Sequence, residues 1–347
     1  MASPKGTILV TGANGGLGSA LVSKIVSTPE LAGYYGVYTV RNPSSVPDLR
    51  YTLSRAPASH HYTVEPLDLS RLESVRALAH SINARVSAGE IPSIRVLILN
   101  AGGNDMGKQS ITEDGFDMSF ESNYLGHWLL TLMLLQSMDR DTGRIVVTGS
   151  SSHDVDHPMH KVTGFFNDEK WKTFFHDDDS VDAVAKGTWA TNESASPEIA
   201  GGRRYGAAKM CIVMMIGELQ QRLDADPVLK NISVVGVDPG TMNTGIIRHG
   251  DLFSRMFIFP VIIAFLSHLL GLFQTNPPIR TTSKSANDLL AAGFEAGPRL
   301  RGAYLDGTDV VGVSREAADV QKRGMVWKHS VNYAKLTKQD TALTHWS

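Results

Sequence analysis

The sequence predicts an α/β fold built on one doubly wound parallel sheet, and two observations carry that expectation. Short, β-rich runs that are nearly continuous in apolar residues alternate along the chain with segments of helical periodicity. The first of these runs ends in a glycine-rich turn that leads into a helix. In order, the strand-like runs are Thr7–Val10, Gly36–Val40, Val96–Leu99, Arg144–Thr148 and Ser233–Val237. Helical patterns lie between them, around Leu17–Ser27, Leu72–Val86, Met118–Met138 and Tyr205–Leu223, the last opening at Tyr205. Strand–helix alternation with right-handed crossovers winds such elements into one sheet covered on both faces. Ligands then bind beyond the carboxyl ends of the strands.

With 347 residues the chain is long for one domain, but sheets of this class reach that size. We expect a catalytic unit over residues 1–325 and a surface helix with a loose tail over 326–347. Two stretches interrupt the alternation. Residues 154–203 are polar and turn-rich, too long for a structureless loop. Residues 251–275 contain the almost wholly apolar run 257–273 and are expected to form a lid. Seventeen residues broken by Pro260, Ser267, His268 and Gly271 fall short of a spanning helix. A buried lid and a peripheral membrane contact both remain open, and both favour a lipophilic substrate.

Hydrophobic residues make up 42% and charged residues 20%, the balance of a water-soluble globular chain. The formal net charge of -2 gives no electrostatic basis for a nucleic-acid partner. A single cysteine, Cys211, forms no internal disulfide and suits a reducing compartment, the cytoplasm. It reads as a packed residue rather than a nucleophile.

The glycine-rich turn is Thr11-Gly12-Ala13-Asn14-Gly15-Gly16-Leu17-Gly18. A sharp strand-to-helix turn needs glycine where φ is positive, and a pyrophosphate needs close backbone approach at a helix start. Gly12, Gly16 and Gly18 meet both needs, which makes the fold Rossmann-type. The second strand ends in Val40-Arg41-Asn42, with no acid before Asp48. An acid there would bind the ribose hydroxyls of NAD; a cation holds the 2′-phosphate of NADP. Arg41 therefore points to NADP(H).

Tyr205 and Lys209 stand at i and i+4, so phenol and ammonium share one helical face. A free tyrosine titrates near 10, and a charge at about 4 Å supplies enough energy to bring it toward neutrality. His153, His157 and His160 have a metal-like look, but their loop setting favours solvated side chains.

From about residue 5 to 310 the sequence resembles the short-chain dehydrogenase/reductase family, with its motifs in order. Thr11–Gly18 matches the TGxxxGxG cofactor turn, and Asp68-Leu69 resembles the pair whose acid contacts adenine. Asn100-Ala101-Gly102 looks like the NAG element. Asn123 and Ser150 match the catalytic asparagine and serine. Asp238-Pro239-Gly240 with Thr244 resembles the PGxxxT element that closes over the nicotinamide. The resemblance implies that Tyr205 donates a proton to the substrate oxygen while Ser150 holds that oxygen. It also implies that Lys209 lowers the tyrosine pKa and binds the nicotinamide ribose, and that Asn123 positions a water. Family members often dimerise through the helices bearing Asn123 and Tyr205.

One departure stands out. Fifty-four residues, Ser151 to Arg204, separate the matched serine and tyrosine, where most members have a dozen or so. The retinol-dehydrogenase-like branch carries an insertion there, and Ser-Ser-His-Asp and RHGDLF resemble that branch too. The leading expectation is a carbonyl reductase or alcohol dehydrogenase for a bulky lipophilic molecule in specialised metabolism. A non-catalytic dinucleotide sensor and an epimerase or dehydratase are the alternatives.

Overall fold

The computed structural model describes residues 4–103, 107, 109–190, 196–242, 274–294 and 300–347. Among these residues, eight strands form one sheet: β1 (Thr7–Val10), β2 (Tyr35–Val40), β3 (Tyr62–Pro66), β4 (Ile94–Leu99), β5 (Arg144–Thr148), β6 (Ser233–Asp238), β7 (Tyr304–Asp306) and β8 (Asp309–Val311). Their order is β3-β2-β1-β4-β5-β6-β7-β8, and every neighbouring pair is parallel except the β7–β8 hairpin. The chain winds outward from β1 to β3, then returns to place β4 on the other side of β1. That reversal opens a crevice between the carboxyl ends of β1 and β4.

Alternation of side chains along each strand splits the core into two layers. Ile8, Val10, Val96 and Ile98 pack with the helices Gly16–Ser27 and Thr282–Phe294 on one face. Leu9, Leu97, Leu99 and Ile145 pack with Leu72–Ser87, Gly126–Leu134 and Pro197–Asp224 on the other. Parallel strands buried on both faces explain the continuous apolar runs. The edge strand β3 has exposed ends and a terminal proline, and β7 and β8 have three residues each. None of the three carries a long enough apolar run to be read in advance.

Three expectations need correction. The helix carrying Tyr205 does not open there; it runs from Pro197 to Asp224 and places Tyr205 more than two turns inside. Its start signal is Ser196, whose hydroxyl accepts the Ile199 N–H, followed by proline at the first helical position. The C-terminal boundary at 326 falls inside a helix, Val320–Tyr333. The tail beyond it is not loose: Arg222 donates to the carbonyls of His345 and Ser347, and Arg76 to those of Ala334 and Lys335.

The same C-terminal arm covers the helices through which the family resemblance implies dimerisation. Trp327 packs edge-on against Trp128, with ring centroids 5.2 Å apart, and the Tyr124 hydroxyl meets Ser330 Oγ at 2.7 Å. A dimer through that face would have to displace the arm first.

The insertion folds back onto the main core rather than looping free. Phe166, Trp171, Phe174 and Phe175 are buried, and a capped helix, Asp178–Ala185, follows them. The run 257–273 and Thr244 lie outside the described residues. No helix among the described residues is long and apolar enough to cross a membrane.

Candidate active site

At the crevice, the turn after β1 and the loop after β4 hold each other through side chain–backbone hydrogen bonds. Thr11 Oγ1 accepts the N–H groups of Asn100 and Ala101, each at 2.9 Å, and Asn100 Nδ2 returns a bond to the Thr11 carbonyl at 2.9 Å. Gly12 has φ +67°, and a Cβ there would lie 2.8 Å from the Ala101 backbone. A Cβ on Gly18 would run into the Gly12 carbonyl, so the helix could not start so close to the turn. The helix cap, Gly15, supplies no side-chain acceptor. Its first N–H groups therefore have no cap side chain to satisfy them, as at helix starts that receive a phosphate. Gly16 is exposed at this mouth and Leu17 packs beneath it. Asn14 Oδ1 instead faces the Leu49 N–H at 3.4 Å. The residues present fit a dinucleotide.

Arg41 stands at the far end of the crevice, three-quarters exposed, 3.8 Å from Asp68. Together with Arg71 and Ser74 they line a cleft. Asp68 also accepts the N–H and hydroxyl of Ser70 at 3.1 and 2.7 Å, so it shapes the approach to the next helix, which begins at Leu72. Leu69 is buried, its carbonyl against Gly126.

Asn123 lies in a wide π-helical turn, Glu121–Leu125. Such turns free backbone groups and concentrate at functional sites. Its side chain clamps the loop after β4: Nδ2 donates to the Gly103 carbonyl at 3.0 Å and Oδ1 accepts the Gly103 N–H at 3.1 Å. Nδ2 also reaches the Ser119 carbonyl at 2.9 Å. A Cβ on Gly102 would lie 2.8 Å from Asn123 Oδ1 and 3.9 Å from Lys209 Nζ, which places both at this loop.

Lys209 Nζ donates to the Thr148 carbonyl at 3.0 Å and lies 5.7 Å from the Tyr205 ring centroid. Of the three serines 150–152, Ser150 is the one whose side chain acts on the Tyr205 phenol, drawing its pKa down. Ser150 follows β5 and caps a single 3-10 turn, Ser151–His153. That turn rests on the tyrosine helix at Gly206, where a Cβ would lie 2.9 Å from the Ser152 carbonyl. Gly102, Asn123, Lys209, Tyr205 and Ser150 thus form one connected line from the glycine turn to the end of β5.

The electrostatics differ from the expected ones. Burial pushes the Tyr205 phenol up to about 12, opposed by the Ser150 hydrogen bond and reinforced by Asp238. Lys209 is not among the groups that shift it; its ammonium donates to the Thr148 carbonyl, 5.7 Å from the ring centroid. Burial also brings Lys209 down to about 8, against the opposing pull of Asp238. Asp238 itself is raised by burial, although it accepts the Gly240 N–H at 2.8 Å. Pro239 accepts the Ser285 hydroxyl at 2.7 Å, and Gly240 has φ +70°.

Two residues around this site were missed. His127, fully buried and one turn beyond Asn123, meets Thr11 Oγ1 at 3.0 Å; the i, i+4 spacing from Asn123 was its only signal. Arg280 ties Asp238 to Asp306, and no local pattern marks it. The histidines are not solvated as expected: His153 and His160 are buried, and Cys211 is buried as expected.

Comparison with known proteins gives the class. Residues 6–162 match the family model described as short chain dehydrogenase. The chain is 41% identical to the protein named "Short-chain dehydrogenase iccH" of Talaromyces variabilis, covering 99% of each. It is 27% identical to human "Retinol dehydrogenase 13", over 96% of this chain and 86% of that one. The NADPH-bound carbonyl reductase from chicken fatty liver superposes with a TM-score of 0.56 over 90% of this chain and 100% of its own, at 15% identity. The chain belongs to the short-chain dehydrogenase/reductase family. It is an NAD(P)-dependent oxidoreductase that interconverts CH–OH and C=O groups of a small molecule.

Proposed function

We propose that this protein is an NADP(H)-dependent reductase of ketones or aldehydes on bulky lipophilic molecules. The observation that carries the reaction is the convergence of Tyr205, Ser150 and Lys209: the Ser150 side chain acts on the phenol, and the ammonium lies 5.7 Å from its ring centroid. With its pKa near 12 the phenol is fully protonated at neutral pH, the state of a proton donor. A bound reduced nicotinamide supplies the hydride. Tyr205 gives its proton to the oxygen that becomes the alcohol, and Ser150 holds that oxygen in place. Lys209 binds the nicotinamide ribose and contributes positive charge while it is protonated, below about pH 8. Asn123 fixes the loop of Asn100, Ala101 and Gly102 against the cofactor and orders a water toward Lys209. Pro239 and Gly240 close over the nicotinamide, the part that the family resemblance also gives to Thr244.

NADP(H) rests on Arg41, exposed at the crevice and without a competing acid at the end of β2. A 2′-phosphate would replace its long contact to Asp68 with charge-assisted bonds. A lipophilic substrate is supported by the apolar run 257–273 and by Met159 and Val162, exposed on the insertion. A relative named for retinol points the same way. A polyketide, terpenoid, steroid or retinoid carbonyl in specialised-metabolite biosynthesis fits.

Oxidation of NADPH and NADH is measured with a panel of lipophilic ketones and aldehydes. Turnover preferring NADPH by at least about tenfold, or 1.4 kcal/mol, is expected. NADPH binding without turnover of any carbonyl would contradict the reductase, and equal use of both cofactors would contradict the role of Arg41.

A further inference from the structure

We infer that His153, as the neutral Nδ1–H tautomer, is a positioning residue that fixes the serine of the reaction from the C-terminal segment. This deepens the reductase assignment above and rests on it for the role of Ser150.

The ring has partners on both nitrogens, and they allow one protonation pattern. Nδ1 lies 2.7 Å from the Ser150 carbonyl oxygen, which only accepts, so Nδ1 carries the proton. Nε2 lies 3.3 Å from the backbone nitrogen of Ser314, which only donates, so Nε2 is bare. A protonated ring would set a donor against a donor at Ser314. The ring is 3% exposed and stacks edge-on against Tyr304, with centroids 5.1 Å apart. Tyr304 in turn packs its hydroxyl against Gly149, the residue before the serine.

Ser150 therefore has its carbonyl held twice from one residue, by the His153 ring and by the His153 N–H at 3.2 Å. Its hydroxyl is left to accept the Ser152 N–H and to meet Tyr205. The far side of the ring is anchored where the C-terminal segment turns. Ser314 caps the short helix Arg315–Ala318, and Glu316 in that helix accepts the N–H groups of Phe174 and Phe175 in the insertion. The 54 residues that separate Ser150 from Tyr205 would otherwise leave the serine at the root of a long excursion. The histidine pins that root to the β7–β8 side of the sheet. A hydroxyl displaced by about 1 Å is enough to cost on the order of 100-fold in rate.

Two variants separate positioning from bulk. His153→Phe keeps the ring stacked on Tyr304 and loses both hydrogen bonds. His153→Asn keeps a donor at the Nδ1 position and loses the Ser314 contact. With NADPH and 1-decalone, His153→Phe is expected to lower kcat by about 10- to 100-fold with NADPH Kd unchanged. His153→Asn is expected to stay within a few-fold of wild type. In 15N-labelled protein the His153 ring is expected to show the Nδ1–H tautomer. An Nε2–H tautomer overturns the inference, as does a His153→Phe enzyme with wild-type kcat. Loss of NADPH binding parallel to kcat overturns it too, because the effect would then be on folding. The tautomer is read without turnover, so a wild-type protein inert toward every carbonyl refutes the reductase assignment separately.

Discussion

At the glycine turn, the groups that define the site are backbone atoms and short uncharged side chains of residues close together in two short motifs. Thr11, Asn100 and Ala101 bind one another directly, and Gly12 and Gly18 admit approaches that any side chain would block. Around Tyr205, the supports come from far along the chain and act through charged side chains. Arg204 meets Asp117, the cap of the helical segment leading to Asn123, at 3.4 Å with both side chains almost wholly buried. Arg203 lies 3.9 Å over the Trp171 ring and donates to the Phe165 carbonyl at 2.8 Å. A cofactor phosphate needs only main-chain geometry, which a short motif encodes. A proton donor beside a long insertion needs its surroundings fixed by partners that the fold alone brings near.

The contrast predicts that single changes near Tyr205 cost global stability, whereas changes at the cofactor end cost binding. Arg204→Ala takes the guanidinium away from the buried Asp117 carboxylate and is expected to cost about 3–5 kcal/mol. Urea denaturation reads this, and a cost below about 1 kcal/mol would show that the pair does not hold the insertion side together. Arg41→Asp is expected to weaken NADPH by about 10- to 100-fold, the worth of one charge-assisted bond, with NADH little changed and stability unaffected. Equal weakening of both cofactors would remove the distinction between the two ends.

Glu121 sharpens the comparison from inside the π-helical turn. It is fully buried, and burial raises its carboxyl to about 8. The folded pKa exceeds the unfolded one, so stability is intact below the ordinary carboxylate range and is lost as pH rises toward 8. Glu121→Gln removes that titration. Its unfolding free energy, read by urea denaturation, is expected to pull ahead of wild type between pH 5 and 8, by on the order of 1–3 kcal/mol. A constant difference across pH would contradict the assignment. The smallest effect is kinetic: kcat/KM for reduction should hold steady below about pH 8 and decline above it as Lys209 loses its proton. Lys209→Arg is expected to move that decline upward, and an unmoved inflection would assign it to another group.

The same contrast explains how much was legible in the sequence. β1, β5 and the turn at Thr11–Gly18 were readable because buried parallel strands and phosphate turns impose composition locally. Tyr205 and Lys209 were readable from one helical spacing. The start of their helix at Pro197 was signalled by Ser196-Pro197-Glu198, but the polar insertion around it masked the periodicity. The roles of His127 and Arg280 were not readable, since their partners Thr11 and Asp238 stand 116 and 42 residues away. The loose tail was misjudged because Trp327 and Ser330 bury themselves against helices that no local pattern reveals. The burial that raises the Tyr205 phenol was not legible for a related reason. Residue spacing placed the ammonium on the right face, but not below the ring on the Thr148 carbonyl.

Proton donation by Tyr205 is tested most directly by Tyr205→Phe, with NADPH-dependent ketone reduction and NADPH binding measured on the same preparation. Removing the hydroxyl is expected to lower kcat/KM by about 100- to 10,000-fold while NADPH Kd stays within about twofold. A phenylalanine variant that reduces the ketone at the wild-type rate would contradict the account.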